Sequence, residues 1–173
     1  VAPVNAGNVG EEAKSNVIVL GSYLQPPYSE DFTDATSPSL YTIVDANADK
    51  NTWYYSVKSM KYRASYSKAA DDWLILPAMQ FKGGYSYELG FDLYGTNARY
   101  TNIVEVKMGD APTAEAMTTA IGESISSSAT SAAPTKAKLN VMPEADGVKY
   151  IGIHIISAVS QGTATIDNIS LAS

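Results

Sequence analysis

From Tyr85 to Leu93 every second residue is aromatic or aliphatic. In YSYELGFDLYG, Tyr85, Tyr87, Leu89, Phe91 and Leu93 share one parity, and Ser86, Glu88, Gly90 and Asp92 share the other. A period of two sends these two sets to opposite faces of a strand, and a helix has no use for it. The pattern recurs in NIVEVKMG (102–109), where Val104, Val106 and Met108 stand against Ile103, Glu105 and Lys107. LYTIV (40–44), WYYSVKSMKYRASYS (53–67) and DDWLILP (71–77) add shorter apolar or aromatic runs. AKLNVMP, VKYIGIHIIS and TATIDNISLA close the chain with three more. Gly, Pro and Asx turns punctuate the runs at short intervals, with no alternation of strand and helix and no internal repeat.

This rhythm predicts an all-β, two-sheet sandwich of nine or ten strands. The strand-rich C-terminal half favours a jelly roll over an immunoglobulin arrangement. One helix is expected near 112–121 in GDAPTAEAMTTAIGE, with Asp110 or Thr113 as cap, Pro112 in the first turn and Gly122 at the exit. KGGY (82–85) reads as a hairpin turn. SISSSATSAAPT (124–135) reads as a surface connection with some strand character. Residues 1–16 are small and polar and read as a linker or flexible N-terminus, leaving 17–173 as the sandwich domain.

The chain of 173 residues is long enough for one full core. Its formal net charge of −6 argues against nucleic acid and anionic membranes as partners. No apolar run is long enough to span a bilayer, so no membrane insertion is expected. There is no cysteine, which excludes thiol catalysis, Cys-ligated zinc, iron–sulfur clusters and disulfides. The first residues lack a basic head followed by an apolar stretch, so the sequence reads as a mature form without a signal segment.

Catalytic motifs are scarce. The single histidine, His154 in IGIHIIS, shares a strand face with Gly152 and Ile156, opposite Ile151, Ile153 and Ile155. It reads as a strand histidine on the less buried face, and no G-x-S-x-G elbow accompanies it. Glu88 and Asp92 fall on the polar face of their strand, where solvent exposure is the plain reading. No phosphate-cradling glycine loop occurs. The expectation is that the protein is not an enzyme. Trp73, flanked by apolar residues, reads as a core anchor.

Two features point to binding. The tyrosines near strand ends, Tyr54, Tyr55, Tyr62, Tyr66, Tyr94 and Tyr100, with Tyr54, Tyr55, Tyr94 and Tyr100 first among them, admit two readings: platforms on which sugar rings stack, or aromatic residues packing on pleated sheets. The stretch DANADKNTWYY (45–55) places Asp45, Asn47, Asp49 and Asn51 at alternate positions. An EF-hand is excluded, because Lys50 stands where its glycine belongs and Ser56 where its bidentate glutamate belongs. What remains is a D-x-N-x-D-x-N loop, either a source of oxygens for a hard cation or an Asx-rich turn.

Four segments, in order, resemble the cleaved-adhesin and choice-of-anchor J domains. YSEDFTDATSPSLYTIVDANADKNTWYY is similar to their EDF-type opening strand and acidic loop before a tryptophan. DDWLILPAMQFKGGYSYELGFDLYG resembles their tryptophan strand, glycine turn and following strand. VEVKMGDAPTAEAMTTAI and GTATIDNISLA resemble the later strand with its Pro–Thr segment and the closing I-D-x-I-x-L strand. The resemblance covers about residues 28 to 173. It implies a galactose-binding-like jelly roll that serves as a non-catalytic adhesion or binding module of secreted or cell-surface bacterial proteins, with a glycan or a host or surface protein as partner. The chain would then belong to a longer or anchored protein. The alternative it leaves is a structural spacer or assembly domain beside a secreted protease or glycoside hydrolase. It also implies structural Ca2+, and by position the ligands here are Asp31, Asp45, Asn47, Asp49 and Asp167. Thr33 stands where relatives often carry glutamate, and Asn47, Ala48 and Lys50 replace Asp and Gly of the usual loop, which implies a weaker site.

Overall fold

The computed structural model describes residues 23–173, so the expectations for 1–16, and most of the 17–24 run, lie outside the described residues. Two antiparallel sheets face each other across one core. The chain order is β1 (Tyr28–Glu30), β2 (Thr42–Asp45), β3 (Trp53–Tyr55), β4 (Met60–Arg63), β5 (Asp72–Ile75), β6 (Met79–Phe81) and β7 (Tyr87–Gly95). It continues through β8 (Asn102–Gly109), β9 (Met117–Ala120), β10 (Ile125–Ser127), β11 (Thr135–Val141), β12 (Gly147–Ile155) and β13 (Thr163–Ala172).

The first sheet runs β11-β7-β13-β4-β3, with β1 also on β13. The second runs β10-β8-β12-β5-β2, with β6 on β12 and β9 on β8. One long strand organises each. β13 pairs with β7 along one side and with β4 and then β1 along the other. A bulge between Asp167 and Ser170, with Asn168 at positive φ, marks the change of neighbour. β12 likewise pairs with β8 on one side and with β5 and β6 on the other.

The period of two is obeyed where it is clearest. Tyr87, Leu89, Phe91 and Leu93 of β7, Val104 and Val106 of β8, and Ile151, Ile153 and Ile155 of β12 all fill the space between the sheets. Trp53 is the largest fully buried side chain, tilted against Tyr62 with ring centroids 5.8 Å apart.

Three expectations are corrected. The helix near 112–121 is absent: the described helical structure is a single 3-10 turn, Ser37–Leu40, and Met117–Ala120 is a strand. The free edge of β8 offers ladder bonds that the β-branched Thr118 and Thr119 accept more readily than a short helix. Only an i to i+3 turn survives, with the amides of Ala116 and Met117 donating to the carbonyls of Thr113 and Ala114 at 3.2 Å. Gly109 makes this possible, because a Cβ there would lie 2.2 Å from the Ala116 carbonyl oxygen. The KGGY turn is not a hairpin, since it passes from β6 in the second sheet to β7 in the first. Trp73 does not enter the main core. Its neighbours Leu74 and Leu76 do, and Trp73 packs with Ile75 and Met117 on the outer face of the second sheet. A strand buried on both faces loses the alternation that would separate the two roles.

Leu74 is fully buried between the sheets whereas Met142 is exposed. Leu74→Ala is expected to cost about 2–5 kcal/mol in chemical denaturation, and Met142→Ala less than about 0.5 kcal/mol.

Candidate functional site

The edge strands β2 and β3 belong to different sheets, and residues 46–52 join them across the open side of the sandwich. This is the D-x-N-x-D-x-N loop, and it is folded as nested Asx turns. Asp45 accepts from the amides of Asp49 (3.2 Å) and Lys50 (2.8 Å), Asn47 from that of Asp49 (3.0 Å), and Asp49 from that of Asn51 (2.8 Å). Ala48 and Lys50 take positive φ to allow it.

Behind the loop the polar bookkeeping does not close. Asp49 Oδ2, Thr52 Oγ1, Tyr62 Oη and Asp72 Oδ1 are buried without a well-formed hydrogen bond, although the Tyr62 and Thr52 hydroxyls stand close enough to Asp72 to pull against the rise in its carboxyl. Asp72 sits opposite Asp45 in register and is wholly buried. Burial pushes its carboxyl up to about 6, with the Asp45 charge adding to the effect. The same pocket raises the Tyr62 hydroxyl, through burial first and then the charge of Asp72. Orphaned oxygens with net negative charge suit a hard cation. Even so, among the described residues no three carboxylate or imidazole groups form a ready-made metal cluster. A cation here would rely on amide, hydroxyl and backbone oxygens beside one or two carboxylates.

Asp31 and Asp167 are elsewhere. Asp167 lies at the β13 bulge, where burial, then Asp92 and Asp31, raises its carboxyl. Asp31 is held low by hydrogen bonds from the Thr33 hydroxyl and amide. Asp92, assigned above to a solvated face, is buried and bonded by Lys136 (2.7 Å) and Asn168 Nδ2 (2.9 Å). The five ligand candidates thus fall into two groups: Asp45, Asn47 and Asp49 in the loop, and Asp31 and Asp167 on the outer face of the first sheet.

At the other end of that outer face is a cleft of about 310 Å³. Tyr54, Tyr66, Tyr100, Arg63 and Thr163 are among the residues that line it. Tyr54 alternates outward from buried Trp53, and Arg63 faces outward beside Thr163, its partner in register. Tyr100 closes one side by lying over Gly162. That glycine has φ +71°, and a Cβ on it would meet the Tyr100 ring at 2.7 Å. Gln161 Oε1 accepts from the Thr101 amide at 2.7 Å and holds the loop in place.

Of the four tyrosines singled out by sequence, Tyr54 and Tyr100 meet in this cleft. Tyr94 stands further along the same face, opposite Thr165. Tyr55 turns inward against the core, its hydroxyl donating to the Phe32 carbonyl at 3.2 Å. Tyr66, 78% exposed, joins Tyr54 and Tyr100 in the cleft, whereas Tyr62 is buried in the core.

His154 is also more buried than expected. Its ring stacks on Trp73 with centroids 4.0 Å apart and planes 6° from parallel. Nδ1 lies 2.8 Å from Glu105 and Nε2 2.7 Å from Asp71. Although burial opposes it, hydrogen bonds from Lys107 and His154 hold the Glu105 carboxyl low. Both ring nitrogens are taken by carboxylates, which leaves none to activate a serine.

No family model matches the sequence. No curated protein matches it either. Solved structures do match in fold. The K1 cleaved adhesin domain of Lys-gingipain from Porphyromonas gingivalis W83 superimposes with a TM-score of 0.66 at 15% identity, over 84% of this chain and 98% of that one. The K3 cleaved adhesin domain of the same protein gives 0.65 at 14% identity, with the same coverage. The CBM22-2 xylan-binding domain from Paenibacillus barcinonensis Xyn10C gives 0.53 at 8% identity, over 84% of this chain and 98% of that one. An arabinose-bound α-L-arabinofuranosidase is matched over only 25% of its chain, with 87% of this one, at a TM-score of 0.56 and 10% identity. At such identities the likeness is one of fold.

The raised Asp72 carboxyl has a definite sign. Its folded value lies above the unfolded value of about 3.9, so the stability it lends is complete below about pH 4 and is lost as pH rises through about 6. In chelator, the melting temperature of the parent is expected to fall across that window relative to Asp72→Asn, measured as a pH series. Parallel curves for the two proteins would show that Asp72 is ionised and compensated within the fold.

Proposed function

We propose, from its cleaved-adhesin-type fold as premise, that the chain is a non-catalytic binding module of a secreted or cell-surface protein, and that it takes carbohydrate in the Tyr54, Tyr66 and Tyr100 cleft. The carrying observation is the cleft itself: three exposed tyrosines lining it together with Thr96, Ser160 and Thr163, on a fold shared with adhesin and xylan-binding domains. Sugar rings present C–H faces that stack on aromatic side chains, and their hydroxyls need the hydrogen-bond partners that Thr96, Ser160 and Thr163 supply. The volume is at the small end of ligand pockets, about 300 Å³ upward, and suits one or two sugar units rather than a long buried chain.

The loop at 45–51 is the structural partner of this site. With Asp45, Asn47 and Asp49 as ligands, calcium would relieve the orphaned oxygens behind the loop and hold β2 and β3 at their present separation. Asp31 and Asp167 would serve a second position on the first sheet, close to Asp92.

Glycan-array binding by the 173-residue chain is expected, and Tyr54→Ala with Tyr100→Ala is expected to abolish it without lowering the melting temperature. A silent array, with capture of a surface protein or of nothing, would favour the adhesion-to-protein or spacer reading. Calcium is checked separately by thermal unfolding. At a calcium concentration 100-fold above the dissociation constant, linkage gives a gain of about 2.7 kcal/mol over chelator. Asp45→Ala with Asp49→Ala is expected to remove that gain. A parent that melts identically in calcium and chelator would make the stretch an Asx turn.

A further inference from the structure

We propose that the tyrosine cleft is built for an acidic sugar, a uronic acid unit whose carboxylate is gripped by Arg63; this rests on the carbohydrate reading above and narrows it. The first observation is the charge of the lining. Arg63 is the single charged residue among those that line the cleft, and no carboxylate stands beside it there. The second is the state of the strand cations. Among the described residues, Lys107, Lys136, Lys138 and Lys149 each hold a carboxylate across or along their sheet. Lys61 and Arg63 of β4 hold none. They project together from the outer face, Lys61 opposite Tyr54 on one side and Thr165 on the other. In a chain of net charge −6, two adjacent strand cations without an anion are a departure that asks for an external one.

The chemistry of the pair then selects the ligand. A guanidinium presents a planar fork that matches a carboxylate with two parallel hydrogen bonds. The rings of Tyr54, Tyr66 and Tyr100 supply stacking surface around that fork, and a hexuronate carries both a C–H face and a carboxylate on one ring. Two acidic groups lie near the cleft without lining it. The Asp45 and Asp49 carboxylates, in the loop that leads into β3, are turned onto that loop's own amides. Asp167 is farther away. Along β13 it is four residues beyond Thr163, or about 13 Å at 3.3 Å per residue, which exceeds the screening length of roughly 8–10 Å at ordinary ionic strength. The outer face therefore passes from cationic at the cleft to anionic at the bulge, and an acidic saccharide is drawn to the first end and repelled from the second.

The test is titration calorimetry of the whole chain with three probes: oligogalacturonate, the same oligosaccharide with its carboxyl groups reduced to the neutral alcohol, and a heparin-derived sulfated oligosaccharide. Oligogalacturonate is expected to bind at least about tenfold more tightly than its reduced form, which is the worth of a charged hydrogen bond. Arg63→Gln is expected to erase that difference while leaving the weaker neutral binding, and Tyr100→Ala to weaken both. Equal binding of the acidic and reduced forms would overturn the proposal and leave the carbohydrate reading standing. So would binding of the sulfated probe with none of the uronate. Failure of all three, with variants and parent melting alike, would overturn this inference, and the glycan array, which samples neutral sugars of other kinds, decides whether the carbohydrate reading falls with it.

Discussion

Backbone pairing along β12 and β13 is what the rest of the molecule depends on. Each is a long strand near the C-terminal end of the chain, and each is hydrogen-bonded on both sides. Short strands from the first half, β1, β4, β5 and β6, reach their sheets only by laying themselves against one of these two. Ile151, Ile153 and Ile155 from one and Ile166, Ile169 and Leu171 from the other are all but fully buried, so both strands feed the one core. Apolar burial drives the sheets together, but the ladder of these two strands decides which residues stand on the outer faces.

The consequences for the outer face of the first sheet follow from one strand. On β13 before its bulge the residues turned away from the core are Thr163, Thr165 and Asp167. Thr163 faces Arg63 at the cleft, Thr165 lies between Lys61 and Tyr94, and Asp167 lies beside Asp92. A register slip of one residue would send all three inward and Ala164 and Ile166 outward. The charge gradient across the first sheet is therefore as strongly specified as the core itself.

The sandwich was legible in the sequence because β7 and β8 each have one solvent-leaning face and keep a clean period of two. DDWLILP was readable only as a buried strand. Its two faces are both apolar, one in the main core and one under the 110–117 turn, and nothing local says which face Trp73 takes. The segment 112–121 misled for a different reason. Its caps and proline suit a helix, but the open edge of β8 competes for the same backbone, and that edge exists only in three dimensions. His154 was correctly placed on the face opposite the isoleucines. Its burial under Trp73 of β5 and its two carboxylate partners, Asp71 just before β5 and Glu105 of β8, come from segments distant in sequence. The same distance hid the cleft: Tyr54, Tyr66 and Tyr100 converge because β3, the loop after β4 and the loop after β7 end at the same rim.

The polar loop and the cleft share the short strand β3. β3 is three residues long, stands at a sheet edge and pairs only with β4. So short an edge strand has little pairing energy to hold it. Its place is set by Trp53, which is buried between the sheets and donates from Nε1 to the Asp72 carbonyl at 3.3 Å. Asp72 in turn lies behind the 46–52 loop with a carboxylate oxygen that has no well-formed hydrogen bond. Whatever satisfies that oxygen therefore acts on Trp53 through Asp72, and on Tyr54 as the next residue along. A cation at the loop would contribute to binding in the cleft without touching the ligand, by fixing the strand that carries one of the three rings.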